Sequence, residues 1–226
     1  MTGDLAYARR FREAIEDFWL VRGRQGVRSG RHLDKLAELV GDIFVDEGFA
    51  EGNVLRRRQL EIPGYYRSEK RWDLLVVYKN VLAAAIEFKS QVGSVGKNIN
   101  NRAEEAVGSA TDVWAAHREG RYGLVRPWLG YVLLLEDTPE IRKPVSTSEP
   151  FFPVDEVFQE TSYKDRYEIF CRRLLDERLY DAACFVALKR DAADPLEEPA
   201  SDLSFAAFAS AIRERARVLA ALREEL

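Results

Sequence analysis

Residues 128–137 read WLGYVLLLED, a nearly continuous apolar run. It falls well short of a membrane span. It also lacks the alternation of a strand with one wet face, so it suits a central strand covered on both sides. A chain holding such a strand must supply a layer for each face. With 226 residues, 46% of them apolar, it has the material to do so. WDLLVVY and VLAAAIEFK are rich in β-branched, aromatic and apolar residues and flank a plausible turn at Lys79–Asn80. They read as an antiparallel hairpin. DAACFVALK is a further strand.

Helical periodicity fills the gaps between these strands. Asp4 is placed to cap a helix running to about Val21, with Phe11, Ile15, Phe18 and Trp19 as its apolar stripe. His32 to Phe44 puts Leu33, Leu36, Leu39 and Val40 on one side, and Gly48 and Gly52 end it. Asn101 to Glu119 does the same with Ala103, Ala106, Val107, Ala110 and Trp114. Further helices are expected over Tyr163–Glu177, on Tyr167, Phe170, Cys171, Leu174 and Leu175, and over Phe205–Arg217. Strands flanked by helices define an α/β class: a mixed sheet with helices on both sides. We expect one unit over 1–226, with a helical part at 1–53, a sheet core at 54–190 and a final loop and helix at 191–226. Four segments read as connections. They are RGRQGVRSGRH (22–32), IPGYYRSEKR (62–71), SQVGSVGKNINN (90–101) and a Pro-rich stretch from Thr138 to Asp155. Val54 to Arg58 gives only a weak strand signal.

The net charge of −4 argues against a wholly cationic surface, yet charge is uneven. Residues 54–103 carry 10 basic against 4 acidic residues, so a polyanion contact is expected in the middle of the chain. Cys171 and Cys184 show no CxxC spacing, which speaks against a structural zinc site, and both read as buried free thiols. His32 and His117 lack partners at metal spacing and read as structural. The first residues, MTGDLAYARRFREAIEDFW, do not form a signal peptide, and no run is long enough for a membrane helix. The expectation is a cytoplasmic protein.

One strand carries an anomaly. Side chains alternate along a strand, so Glu87 and Lys89 share a face while Ile86 and Phe88 take the other. A charged pair after Ala83, Ala84 and Ala85 is unusual, because a buried carboxylate without partners is costly. The hairpin can bring Asp73 near Glu87. A strict two-residue turn would set Asp73 opposite Ile86, facing away. A bulge or a three-residue turn would set it opposite Glu87. In that register Asp73, Glu87 and the carbonyl of Phe88 can offer hard oxygens to Mg²⁺. Lys89 can then orient a water or stabilise charge on a phosphate. A strand-end ion pair with an unrelated Asp73 is the plainer alternative.

The surroundings suit a nucleic acid. Lys97, Asn98, Asn100, Asn101 and Arg102 crowd a loop entering a helix, where base edges and phosphates could be met. Glu104 and Glu105 are expected in the first helical turn, as partners of the helix dipole or as contacts of the metal or its water. Arg56, Arg57, Arg58, Arg67, Lys70 and Arg71 supply phosphate contacts ahead of the hairpin.

WDLLVV, AIEFKSQVGS, NNRAEEAVGSATDVW, RPWLGYVLLLED, EPFFPVD and SYKDRYEIFCRRLLDERLYDAACF together resemble the XhoI-like type II restriction endonucleases, of the PD-(D/E)xK nuclease superfamily. The resemblance spans about Pro63 to Phe185. It implies a homodimer that cuts both strands of a short palindrome, CTCGAG, with Mg²⁺, beside a cognate DNA methyltransferase. The family's metal-binding acids fall on Asp73 and Glu87 and its motif lysine on Lys89. Trp72 stands where many superfamily members have Pro, and GSVGKNINNR stands where the group reads closer to GPSFGNNFNNR. A structure-specific repair or recombination nuclease and a catalytically silent DNA-binding protein are the alternative functions.

Overall fold

In the computed structural model, residues 2–25, 31–149, 151–190, 192 and 194–221 are described. Among the described residues, eight strands and five α-helices follow in the order α1 (Thr2–Gln25), α2 (Asp34–Asp46), β1 (Val54–Leu55), β2 (Glu61–Pro63), β3 (Glu69–Arg71), β4 (Leu74–Tyr78), β5 (Val81–Gln91), α3 (Val95–Arg118), β6 (Trp128–Glu136), α4 (Tyr163–Asp176), β7 (Ala182–Leu188), β8 (Leu196–Glu197) and α5 (Phe205–Ala221). Six strands form a mixed sheet in the order β1-β4-β5-β6-β7-β8, and β2 and β3 form a separate ribbon. β4 runs antiparallel to β5, whereas β5, β6 and β7 run parallel to one another.

The apolar run at 128–136 is β6, and it lies between β5 and β7 as a doubly covered strand should. Its alternate residues feed two cores. Val132 and Leu134 pack with Phe11, Phe18, Val40 and Phe208 from α1, α2 and α5. Leu129, Tyr131, Leu133 and Leu135 pack with Ala106, Ala110, Tyr167 and Cys171 from α3 and α4. Full burial of each such large side chain contributes roughly 1.5–3 kcal/mol. The result is the helix-flanked mixed α/β sheet of a restriction-endonuclease-like core.

The local boundaries correct several expectations. α1 begins at Thr2, so Asp4 lies inside its first turn and not ahead of it. The same helix continues to Gln25 and takes in the start of the basic segment 22–32, whose residues 26–30 lie outside the described part. β1 covers only Val54–Leu55. The segment expected as a loop at 62–71 is instead most of the β2–β3 ribbon, with Ile62 paired to Lys70. Its three-residue strands are too short for alternation to register in the sequence. The Pro-rich stretch contains a 3-10 turn at Pro139–Arg142. Capping explains α4: Ser162 accepts from the Asp165 N–H while Asp165 accepts from the Ser162 N–H.

The largest shift concerns α3, which starts at Val95, six residues before the expected Asn101. Gly93 and Ser94 both have positive φ and end the β5 connection abruptly. Gly96 then lets α3 approach α4, because a Cβ there would collide with the ring and hydroxyl of Tyr163. Lys97, Asn98, Asn100, Asn101 and Arg102 are therefore helical, and Glu104 and Glu105 lie in the third turn, away from the helix N-terminus.

Both thiols are free and buried. His32 is buried against Ser90, with Nε2 3.1 Å from its Oγ, and burial lowers the pKa of His32 and of His117. Among the described residues, no helix is long and apolar enough to cross a membrane.

Candidate active site

The register of β4 on β5 decides which groups meet. Tyr78 pairs with Val81 and Val77 with Leu82, but Val76 pairs with Ala84. Ala83 is thus an extra residue, a β-bulge. The two cores reflect it, since consecutive Ala83 and Ala84 both face the α1/α2/α5 side. Beyond the bulge Leu75 pairs with Ala85 and Leu74 with Ile86, so the next position, Asp73, comes opposite Glu87. This is the irregularity that the constellation requires.

Asp73 lies just ahead of β4, and its Oδ2 accepts the main-chain N–H of Phe88 at 2.8 Å. Glu87 points to the α3/α4 side and is only 2% exposed. Its Oε1 is 2.7 Å from Lys89 Nζ and 3.2 Å from Lys70 Nζ. Its Oε2 lies 3.4 Å from the Tyr180 hydroxyl, which also reaches the Ala106 carbonyl at 3.2 Å. Lys89 Nζ is 3.6 Å from Glu105 Oε2, and Arg102 holds that carboxylate at 2.5 Å. Three acids and three cations from β3, β4, β5 and α3 thus gather around one strand end.

The environment sets the charge states. Packing against protein raises the Asp73 carboxyl above its ordinary range, although one edge of the residue stays exposed. Burial also pushes Glu87 up, but Lys89 and Lys70 outweigh it and hold Glu87 ionised. Burial pushes Lys89 down, and Glu87, Glu105 and Asp73 outweigh that in turn, so Lys89 stays protonated.

The other expected contacts separate into two groups. Lys97, Asn101, Arg58 and Arg71 are exposed, though Arg71 also pairs with Glu61. Asn98 donates to the Ser94 carbonyl at the start of α3. Arg56 is largely buried and held by Asp42 and Glu51, and Arg57 and Arg67 pair with Glu38 and Asp112. Lys70 sits on Glu87 in this structure. Sequence reasoning missed Tyr180, which lies 93 residues from Glu87 and is brought there by the sheet order. No local signal marks it.

Among the described residues, no group of three or more His, Cys, Asp or Glu is placed to hold a metal ion. The two carboxylates of Asp73 and Glu87 nevertheless fit Mg²⁺, which commonly binds through one or two carboxylates and keeps several waters.

The sequence model for restriction endonuclease XhoI matches residues 21–197, most of the chain and all of this site. The chain belongs to the XhoI restriction endonuclease family. It is classed with the type II site-specific deoxyribonucleases. It is 41% identical over 194 residues to the type II restriction enzyme BstVI of Geobacillus stearothermophilus, covering 82% of this chain and 87% of the relative. Type II restriction enzyme XhoI of Xanthomonas vasicola is 40% identical over 77% of this chain and 78% of its own. Type II restriction enzyme AbrI of Azospirillum brasilense is 40% identical over 65% and 74% respectively. No solved structure matches the chain at a significant level.

Proposed function

We propose that this family member is a Mg²⁺-dependent endonuclease of the cytoplasm that hydrolyses both strands of duplex DNA at the palindrome CTCGAG. The observation carrying this reading is the bulge in the β4–β5 hairpin, beyond which Asp73 accepts the Phe88 N–H at 2.8 Å, with Lys89 2.7 Å from Glu87. Asp73, Glu87 and the Phe88 carbonyl would hold the cation. When bound, it supplies Lewis-acid polarisation of the phosphodiester and a water of lowered pKa.

The chain's own groups do the rest. The Phe88 N–H fixes the rotation of the Asp73 carboxylate. Lys89, 2.7 Å from Glu87, is placed to orient the attacking water or to act as counter-charge to a phosphate oxygen. Glu105 steadies that ammonium from α3. Tyr180 supports the far oxygen of Glu87. Lys97 and Asn101 face outward from α3 toward a groove, with Asn98 fixing the start of that helix. Arg58 and Arg71 meet phosphates from the hairpin side. Arg56 and Arg102 act by holding their neighbours in place.

A palindrome presents two equivalent phosphates, and a two-fold homodimer matches them with two equivalent sites. A cell holding such an activity needs its own sites masked, hence a cognate methyltransferase as functional partner. The test is digestion of a fully sequenced plasmid with Mg²⁺, followed by sequencing of every fragment end. Discrete ends, all at CTCGAG, are expected. Ends at another fixed sequence would overturn the assigned site, and scattered ends would overturn sequence-specific cleavage.

A further inference from the structure

Lys70 does not belong to the D…ExK pattern, yet its ammonium shares a carboxylate oxygen with the motif lysine. Lys70 Nζ lies 3.2 Å from Glu87 Oε1, the same atom that Lys89 meets at 2.7 Å. The Lys70 side chain is 14% exposed. Its Nζ stands 4.6 Å from the ring centre of buried Trp72, and the Arg71 carbonyl lies 3.5 Å away. The position is built by the fold: β3 pairs Lys70 with Ile62, and the Trp72 N–H donates to the Leu60 carbonyl just beyond the ribbon. These contacts carry the ribbon straight into Asp73.

Two ammonium groups occupy both lone pairs of that carboxylate oxygen, so a metal ion bound there must displace one of them. Glu87, Asp73 and Glu105 bring three negative charges, and Lys70, Lys89 and Arg102 bring three positive ones. The cluster is balanced as it stands. A divalent cation arriving between Asp73 and Glu87 adds two charges to a neutral site, and both ammonium groups on the shared oxygen oppose it. Lys89 has a second carboxylate, Glu105, to hold it in place. Besides Glu87, Lys70 has the Trp72 ring, a weak carbonyl contact and the more distant charge of Asp73, and among the described residues no second carboxylate pairs with it. Lys70 is therefore the group that yields.

Building on the proposed Asp73–Glu87 metal site, we propose that Lys70 is a displaceable counter-ion of Glu87. A divalent cation takes its place, and the released ammonium moves to a phosphate of the bound duplex. Lys70 is on this view a positioning residue that keeps the catalytic carboxylate ionised and oriented before metal arrives. It then converts that stored charge into a DNA contact.

The test uses Mn²⁺ titrated into the DNA-free protein by calorimetry, for wild type, Lys70→Gln, Lys70→Met and Glu87→Gln. Met keeps an apolar stem on Trp72 and guards against a folding defect in the Gln variant. With the competing charge removed, both Lys70 variants should bind Mn²⁺ at least about tenfold more tightly, the effect in water of one unit charge on a divalent ion about 6 Å away. The same two variants should bind duplex in Ca²⁺ more weakly, with a salt slope lower by about one phosphate contact. Unchanged or weaker Mn²⁺ binding in both variants, with Glu87→Gln abolishing it, overturns this inference and leaves the metal site standing. An unchanged salt slope overturns the transfer to DNA. Full Mn²⁺ binding by Glu87→Gln removes the metal site and this inference together.

Discussion

Asp73 Oδ2 accepts the N–H of Phe88 at 2.8 Å, so the first acid of the site is oriented by the backbone of the strand that carries the second. The two acids therefore move as one unit with β5. Asn at 73 keeps an oxygen for that N–H and Ala does not. Asp73→Ala should unfold at lower denaturant than Asp73→Asn, by about 1 kcal/mol, the net worth of one hydrogen bond. Equal stability of the two would mean that the bond does not order the site.

The ribbon that carries Lys70 is pinned at its other end. Asp112, buried on α3, accepts the N–H groups of Tyr65 and Tyr66 at 2.8 Å each and pairs with Arg67 at 3.0 Å. Asp112→Ala should cost on the order of 1–3 kcal/mol, because two backbone N–H groups and Arg67 lose their shared acceptor. Amide exchange at Tyr65 and Tyr66 should quicken selectively. Uniform loss of protection throughout the molecule would show instead that Asp112 supports the whole core.

Placement of Lys97 and Asn101 on the exposed side of α3 sharpens what that segment can read. In Ca²⁺, Lys97→Ala and Asn101→Ala should each narrow the gap between CTCGAG and one single-base variant by roughly 1–3 kcal/mol. Arg102 is engaged by Glu105, so Arg102→Ala should slow cleavage more than it alters site choice. If the Lys97 and Asn101 substitutions weaken every duplex by the same factor, α3 touches only the DNA backbone.

Glu197 on β8 joins Lys164 of α4 and Arg142 of the 3-10 turn. The hydrogen bond from Lys164 leads in holding its carboxyl down to about 2, from an ordinary 4.5. A depressed carboxyl stabilises the fold above the unfolded pKa, and that stabilisation fades as pH falls from 4.5 toward 2. Glu197→Gln should therefore lower Tm at pH 7 and lose that deficit progressively below pH 4.5. A Tm deficit that does not change over this range would assign the effect to packing.

How far the sequence carried these conclusions depended on whether a feature was local. β6 was legible because a doubly buried strand leaves an unbroken apolar run, and α4 because its apolar stripe lies within one segment. The Glu87–Lys89 face followed from strand alternation alone. The bulge at Ala83 was legible only as a requirement, since three successive alanines give no cue to which one is extra. The start of α3 was misplaced because Gly96 and the asparagines resemble a loop, while the close approach to Tyr163 that requires Gly96 is a tertiary contact. Lys70 and Tyr180 reach Glu87 only through the ribbon and the sheet order, which no short window contains.

The central claim is that Asp73, Glu87 and Lys89 form the cleavage centre. The most direct measurement pairs two readings on Asp73→Asn, Glu87→Gln and Lys89→Ala: the cleavage rate of a CTCGAG duplex in Mg²⁺, and binding of the same duplex in Ca²⁺ by protein whose thermal unfolding is also followed. Each variant should fold and bind duplex yet cut slower by about a hundredfold or more, as when a group stabilising the transition state is removed. Any one of the three that folds, binds and cuts at the wild-type rate would place the chemistry elsewhere.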